Sequence, residues 1–278
     1  MKLLEKMRDQ SEFTDGEFSA VQYLLNHPSE NLTITELADL TYTSNSTIIR
    51  MCRKLGFDGY RDFRLEFIKE MESYKYVSEQ VDYDNPFNAM EGTSEIIYKI
   101  TNLYRESTDI LLQCINEKKI ECISQTIFKA RRIFIYAIGD SMITARAFAN
   151  KLQKLGIYPI LANKNNEDIT ASYNATREDC VIFLSYSLRL PEFLKAYKML
   201  YKKCVPVIAI TSNEKHCITK NATHKIIIPN KETDFSIATF YSQFAFEYVL
   251  NIIYSAIYAL NYNYHKERKR DIDTIRTK

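Results

Sequence analysis

The chain has 278 residues, 46% of them apolar, and a formal net charge of +2. That is long enough for one large domain or two modest ones, and too apolar for extensive disorder. The near-balance of charge excludes a broad electrostatic grip on nucleic acid, so any such contact must come from local charge placement.

The first stretch reads as several short helices. Thr14 and Glu17 have the spacing of a capping box, and the helix they open carries Phe18, Val21, Leu24 and Leu25 on one face before Pro28 ends it. Thr33 and Glu36 form a second box, opening a helix with Leu37, Ala38 and Leu40. After a turn at Thr41 to Thr43, Ser44 caps a third helix whose apolar positions Ile48, Met51, Cys52 and Leu55 follow helical spacing. Gly56 stands where a helix C-terminus needs a left-handed residue. A fourth helix runs from about Tyr60 to Tyr74. Val77 to Thr93, with Asp82, Asp84, Asn85, Pro86 and Gly92, reads as a linker, and two helices follow over Ile96 to Ile115 and Lys118 to Ala130.

Beyond Arg132 the pattern changes. Five short apolar runs are strand candidates: Ile133 to Ile138, Tyr158 to Ala162, Cys180 to Ser185, Val205 to Thr211 and His224 to Pro229. Helical stretches separate the first four, which predicts a parallel sheet covered by helices on both faces. The apolar run Phe235 to Tyr264 holds one charge, Glu247, but is interrupted by Gln243, Asn251 and several Tyr and Ser residues. It predicts a buried or interfacial helix, about Ser236 to Asn261, and no membrane span. The remaining tail is polar and is expected to fray.

The six cysteines (Cys52, Cys114, Cys122, Cys180, Cys204 and Cys217) form no CxxC pair and have no histidine cluster beside them. They read as free thiols in a reducing compartment; no metal and no cofactor is expected. Met1 to Gln10 lacks the apolar stretch of a signal peptide, so the expected location is the cytoplasm.

Three short helices, the last one basic, suggest a helix-turn-helix. With its apolar stripe turned inward, the third helix presents Asn45, Ser46, Arg50 and Arg53 outward, while Ser44 to Thr47 offer hydroxyls and backbone N–H groups to phosphate oxygens. The same residues also fit an ordinary solvated face. The segment Leu32 to Phe67 decides between them, because it resembles the helix-turn-helix of the RpiR family of bacterial regulators. Ile34, Leu37, Ala38, Ser44, Thr47, Ile48, Arg50, Cys52, Arg53, Lys54, Leu55, Gly56, Phe57, Gly59 and Tyr60 fit that family's pattern without a gap. The resemblance implies that Ser44, Asn45, Ser46, Thr47, Arg50, Arg53 and Lys54 contact double-stranded operator DNA, with Arg61 and Arg64 as further candidates.

Past the strand ends lie Gly139-Asp140-Ser141, Ser185-Tyr186-Ser187 and Thr211-Ser212-Asn213. Such residues can cradle a phosphate, and they can equally cap the helices that follow. Arg131 to about Pro229 resembles a sugar isomerase (SIS) domain, the usual partner of this helix-turn-helix. That resemblance implies a phosphorylated-sugar effector held by Gly139, Ser141, Ser185, Ser187, Thr211 and Ser212. The family's third strand runs into S-x-S-G-x-T-x-E; here Ser185, Ser187 and Glu192 fit, while Leu188 replaces the glycine and Leu190 the threonine. The expectation is a branched side chain added to the cradle and one hydroxyl lost, weakening phosphate binding by about 1.5–3 kcal/mol.

The reading is therefore an α/β protein: an all-α helix-turn-helix domain (1–76), a linker (77–95), a SIS-type domain with a five-stranded parallel sheet (96–264) and a polar tail (265–278). Its expected role is a transcriptional regulator of sugar metabolism and not an enzyme, acting as a homodimer or dimer of dimers away from the membrane, with the apolar last helix as interface. Ligand-blind regulation and phosphosugar isomerisation, with His216, His224, Glu167 or Glu192 as base, are the alternatives.

Overall fold

The computed structural model describes residues 3–27, 32–77, 81–162 and 167–276. The chain divides into two compact units, 1–80 and 81–278.

The first unit contains α1 (Leu3–Arg8), a 3-10 turn (Gln10–Glu12), α2 (Asp15–Asn26), α3 (Ile34–Leu40), α4 (Asn45–Lys54) and α5 (Tyr60–Val77). α1 was not expected. Leu3, Leu4 and Met7 enter the core, and the Leu3 and Leu4 N–H groups donate to the Glu70 carboxylate at 3.0 and 3.2 Å. Both capping boxes form: Thr14 N–H donates to Glu17 at 2.9 Å and Thr33 N–H to Glu36 at 2.7 Å. Ile48, Met51, Cys52 and Leu55 are buried, and α4 packs on α2, α3 and α5. Gly56, at φ +96°, closes α4: its N–H reaches the Arg53 carbonyl at 3.0 Å and the Phe57 N–H the Cys52 carbonyl at 2.9 Å. α3 ends on the same pair of bonds, but with Tyr42 at φ +52° in place of glycine.

The second unit is built on β1 (Ile133–Tyr136), β2 (Ile160–Ala162), β3 (Cys180–Leu184), β4 (Val207–Thr211) and β5 (His224–Ile227). All neighbours are parallel, in the order β2-β1-β3-β4-β5. Alternation splits each central strand between two apolar layers. Ile133, Ile135, Cys180, Ile182, Leu184, Ile208 and Ile210 face one layer, with α6 (Thr93–Cys114), α7 (Glu117–Lys129), α8 (Asp140–Gln153) and α12 (Phe240–Leu260) contributing Leu103, Ile123, Phe148 and Phe246. Phe134, Tyr136, Val181, Phe183, Val207 and Ala209 face the other, with Phe193, Ala196 and Leu200 of α10 (Pro191–Lys202) and Ile218 of α11 (Cys217–Asn221). α9 (Glu167–Asn174) lies beside β2 and α10.

Three expectations need correction. The last apolar helix begins at Phe240, because Ser236 and Ile237 are held elsewhere, while Val249 and Ile253 lie in the core as expected of a buried helix. The tail is helical, as α13 (Tyr262–Arg276), anchored by the buried His265. The segment read as linker is built into the second unit from Val81 onward: Tyr83 is buried, with its hydroxyl on Glu106 at 2.9 Å.

Gly56 holds a positive φ with open space around it, so a side chain added there would be opposed by backbone conformation alone. Gly56→Ala should destabilise the protein by about 1–2 kcal/mol. Urea unfolding would show this as a lower midpoint for the first unit's transition; an unchanged midpoint would mean that α4 does not end as described.

Candidate functional sites

The first site is the outer face of α4. Ser44 caps it, accepting the Thr47 N–H at 3.2 Å, and its Oγ lies 2.7 Å from Ser46 Oγ and 3.0 Å from Thr47 Oγ1. Three hydroxyls thus gather at the helix N-terminus, where unpaired backbone N–H groups and the helix dipole favour an anion. Ser44, Asn45, Ser46, Arg50 and Arg53 are exposed and Thr47 is half-buried. Arg50 Nη2 donates to Thr47 Oγ1 at 3.3 Å, one turn back toward that terminus. The Arg53 guanidinium has no ion-pair or hydrogen-bond partner among the described residues.

Two basic residues behave differently from the rest. Lys54 Nζ sits 2.7 Å from Glu17 Oε2 and 3.0 Å from the Glu12 carbonyl, so its charge is used to fasten α4 to α2. Glu17 is 1% exposed; burial alone would raise its pKa, but Lys54 and the Thr14 N–H outweigh that and hold it below the ordinary carboxylate value. Arg64, a candidate contact, is buried, its guanidinium over the Phe67 ring at 5.3 Å. Arg61 remains exposed.

The second site is a cavity of about 790 Å³ outside the carboxyl ends of the strands. In a sheet of order 2-1-3-4-5 that is where ligands bind. Asp140 borders it after β1, Tyr186, Ser187 and Arg189 after β3, and Ser212 to Lys215 after β4; Asn230, Glu232 to Ser236 and Thr239 close the far side. Hydroxyls, amides, the cations Arg189 and Lys215 and the carboxylates of Asp140, Glu214, Glu232 and Asp234 line it, and Arg189 is paired with Asp234 through both terminal nitrogens. Such a mixed polar lining suits a polyhydroxylated ligand.

Only Ser187 and Ser212 of the six expected phosphate ligands border this cavity. Thr211 is buried; its hydroxyl donates to the Tyr186 carbonyl at 2.9 Å, so it shapes the wall and does not face inward. The Ser185 hydroxyl accepts the Leu188 N–H at 3.1 Å. Gly139 precedes α8 at φ +59° and ψ −132°, a conformation that glycine adopts at least cost, and Ser141 follows within the helix.

Leu188 also departs from expectation. It holds φ +55°, the left-handed conformation its family position calls for, but its side chain is fully buried in the apolar layer with Phe134, Phe183 and Phe193. Leu190 packs against the same layer. Neither fills the cavity; the strain of a non-glycine positive φ, about 1–2 kcal/mol, is offset by burial of the leucine.

Sequence reading missed three residues. Tyr186 Oη accepts the Lys231 and Glu232 N–H groups at 2.7 and 3.1 Å and donates to the Pro229 carbonyl at 3.3 Å, so it fixes the loop after β5. Glu232, 6% exposed, caps α12 by accepting the Tyr241 N–H and, at 3.0 Å, the Ser242 N–H. Its burial raises its pKa, partly countered by those bonds. Asp84 takes the Thr233 N–H at 2.7 Å, the Thr233 hydroxyl at 2.8 Å and the Ser236 hydroxyl at 2.5 Å, while its own carbonyl accepts the Ile237 N–H at 3.0 Å. No local periodicity marks these positions. The Asp-rich turn at Asp82 to Asn85 was the available sign.

The two histidines among the candidate bases occupy structural positions. His216 caps α11 through Nδ1, which accepts the Ile218 N–H at 3.3 Å, and a His224 ring nitrogen lies 2.9 Å from Thr126 Oγ1; burial lowers the pKa of both. The Glu167 side chain lies outside the described residues, and Glu192 is an exposed first-turn residue of α10. No group of three or more His, Cys, Asp or Glu residues among those described could hold a metal. No described helix is long and apolar enough to cross a membrane.

Residues 1–74 match the helix-turn-helix domain of the rpiR family, and residues 126–253 match the SIS domain. The chain belongs to the RpiR family of transcriptional regulators. This RpiR-family chain is 26% identical over 276 residues to the HTH-type transcriptional regulator GlvR of Bacillus subtilis, covering 96% of this chain and 98% of that one. Its fold is similar to that of Vibrio vulnificus NanR, solved in complex with ManNAc-6P, with a TM-score of 0.60 and 20% identity over 99% and 98% of the two chains. It also resembles the sugar isomerase domain of an RpiR transcription factor from Sphaerobacter thermophilus, with a TM-score of 0.57 and 17% identity, over 65% of this chain and 99% of that one.

Tyr186→Phe should leave two loop N–H groups without their acceptor and cost about 1–3 kcal/mol. Thermal unfolding should register that loss, and hydrogen exchange should rise at Lys231 and Glu232. Unchanged exchange there would show that the hydroxyl does not hold the loop.

Proposed function

We propose that this regulator reads an operator through the outer face of α4, and that a phosphorylated sugar in the cavity beyond the sheet sets its affinity for that operator. The observation that carries the reading is the division of α4: its apolar half is fully used in packing, while Ser44 to Thr47, Arg50 and Arg53 are left for a partner. A helix N-terminus with gathered hydroxyls can hold a backbone phosphate, and arginine can pair with guanine edges in the major groove. Lys54 is assigned a positioning role.

The effector class follows from the cavity. Lys215 suits the phosphate, with Arg189 able to join it only by leaving its two-bond pairing with Asp234, and Ser187, Ser212, Asn213 and Asn230 suit sugar hydroxyls. Leu188 and Leu190 leave the cavity open, which favours sensing over the ligand-blind alternative. The structural duties of His216 and His224 argue against an isomerase, and we assign no catalytic step. ManNAc-6P, the ligand named for NanR, belongs in the first panel of effectors tested. A homodimer or dimer of dimers in the cytoplasm would match a palindromic operator.

Asp84 is the proposed route between the sites. It lies just after the boundary between the two units and holds Thr233, Ser236 and Ile237, in the loop that lines the cavity. In this reading a ligand that moves this loop also moves Asp84, near the start of the second unit, provided it binds the two arrangements with different affinity.

The test is a titration of DNA from upstream of the chain's own coding sequence, at fixed salt, with and without a panel of sugar phosphates. At least one should change operator affinity by about fivefold or more. Arg50→Ala and Arg53→Ala should each weaken binding by about 1–3 kcal/mol. Asp84→Ala should retain DNA binding and lose the effector response. Operator affinity indifferent to every sugar phosphate would overturn sensing; full affinity in both arginine variants would overturn the assignment of α4.

A further inference from the structure

A second pocket, of about 340 Å³, lies away from the sheet ends between α8, α12 and α13. Lys151, Lys154 and Lys269 border it, with Asn251, Tyr258 and His265, and no carboxylate is among its lining residues. Lys151 Nζ is bonded to Asn251 Oδ1 and lies 3.9 Å from the half-exposed Glu247; Lys269 reaches Asp273 only at 4.0 Å. The Lys154 ammonium has no ion-pair or hydrogen-bond partner among the described residues.

The floor of the pocket is the unusual part. His265 is 3% exposed, and neither ring nitrogen has a hydrogen-bond partner. Its ring is held by aromatic neighbours alone, Phe128 at 6.5 Å, Tyr258 at 5.5 Å and Tyr264 at 5.4 Å. The adjacent Arg268 Nε is likewise buried and unpaired. Buried polar groups almost always find partners, and leaving one unmade costs free energy. Three lysines border a pocket whose lining holds no carboxylate, and the two acids beside Lys151 and Lys269 lie at 3.9 and 4.0 Å, so mutual repulsion is only partly relieved. Both penalties fall if an anion enters.

A carboxylate has two oxygens to share among these donors. A phosphoryl group has three, carries up to two negative charges, and suits several lysines and an imidazole at once. We propose that the α8–α12–α13 pocket is a phosphoryl-binding site, separate from the cavity beyond the sheet, with Lys154, Lys269 and His265 as its principal donors. The proposal does not depend on the reading of the other two sites. Free phosphate, a phosphorylated metabolite and a DNA backbone phosphate all share this chemistry, and the arms of the experiment separate them.

The chain has four histidines, His27, His216, His224 and His265, so ring signals of histidine-labelled full-length protein can be assigned by comparison with His265→Gln. Inorganic phosphate, a hexose 6-phosphate and a short duplex without operator sequence are titrated in turn. At least one should shift the His265 ring signals saturably, and the one that acts at lowest concentration identifies the source. Lys154→Ala combined with Lys269→Ala removes two exposed side chains without touching the core, and should weaken that titration about tenfold or more. His265 signals that stay still in all three titrations, or a shift of equal midpoint in the double-lysine variant, would overturn the proposal.

Discussion

Everything proposed for the first unit depends on one packing constraint: α4 can bury only one half of itself. Ile48, Met51 and Cys52 have no exposed surface, so the rotation of the helix about its axis is fixed. Burying three such side chains is worth several kcal/mol, more than any single surface contact could recover by turning the helix over. The ion pair of buried Glu17 with Lys54 and the left-handed Gly56 then fix where the helix ends relative to α2. The polar face is therefore held in a set position before any partner arrives, and binding need not order it.

The second unit follows another constraint. Its parallel strands are covered on both faces, so polar groups that cannot be buried collect at the strand ends. The cavity there is shaped chiefly by residues that do not face a ligand. Thr211 and Tyr186 tie the loops after β3 and β4 together, Glu232 caps α12, and Asp84 holds the loop between β5 and α12 from outside.

Much of this was legible in the amino-acid order. The strands could be placed because apolar runs buried on two faces leave an unbroken signature, and the capping residues of α2, α3 and α4 work through contacts three positions away. α1 is too short to display a period, and α13 carries so few apolar residues that its docking rests on His265. Leu188 illustrates a deeper limit. Its substitution for glycine was visible, but the direction of its side chain is set by a positive φ that only the folded loop imposes. Asp84 and Glu232 act across 149 and 10 residues of chain, respectively, through bonds that no local pattern encodes.

The central claim is that α4 meets DNA with the face its packing leaves free. Hydrogen exchange of the full-length chain, with and without its own upstream DNA at matched salt, tests this most directly. The account predicts new protection at the backbone amides of Ser44 to Thr47 that a random duplex at the same salt does not reproduce. Protection confined to other segments, with the start of α4 exchanging as in the free protein, would contradict it.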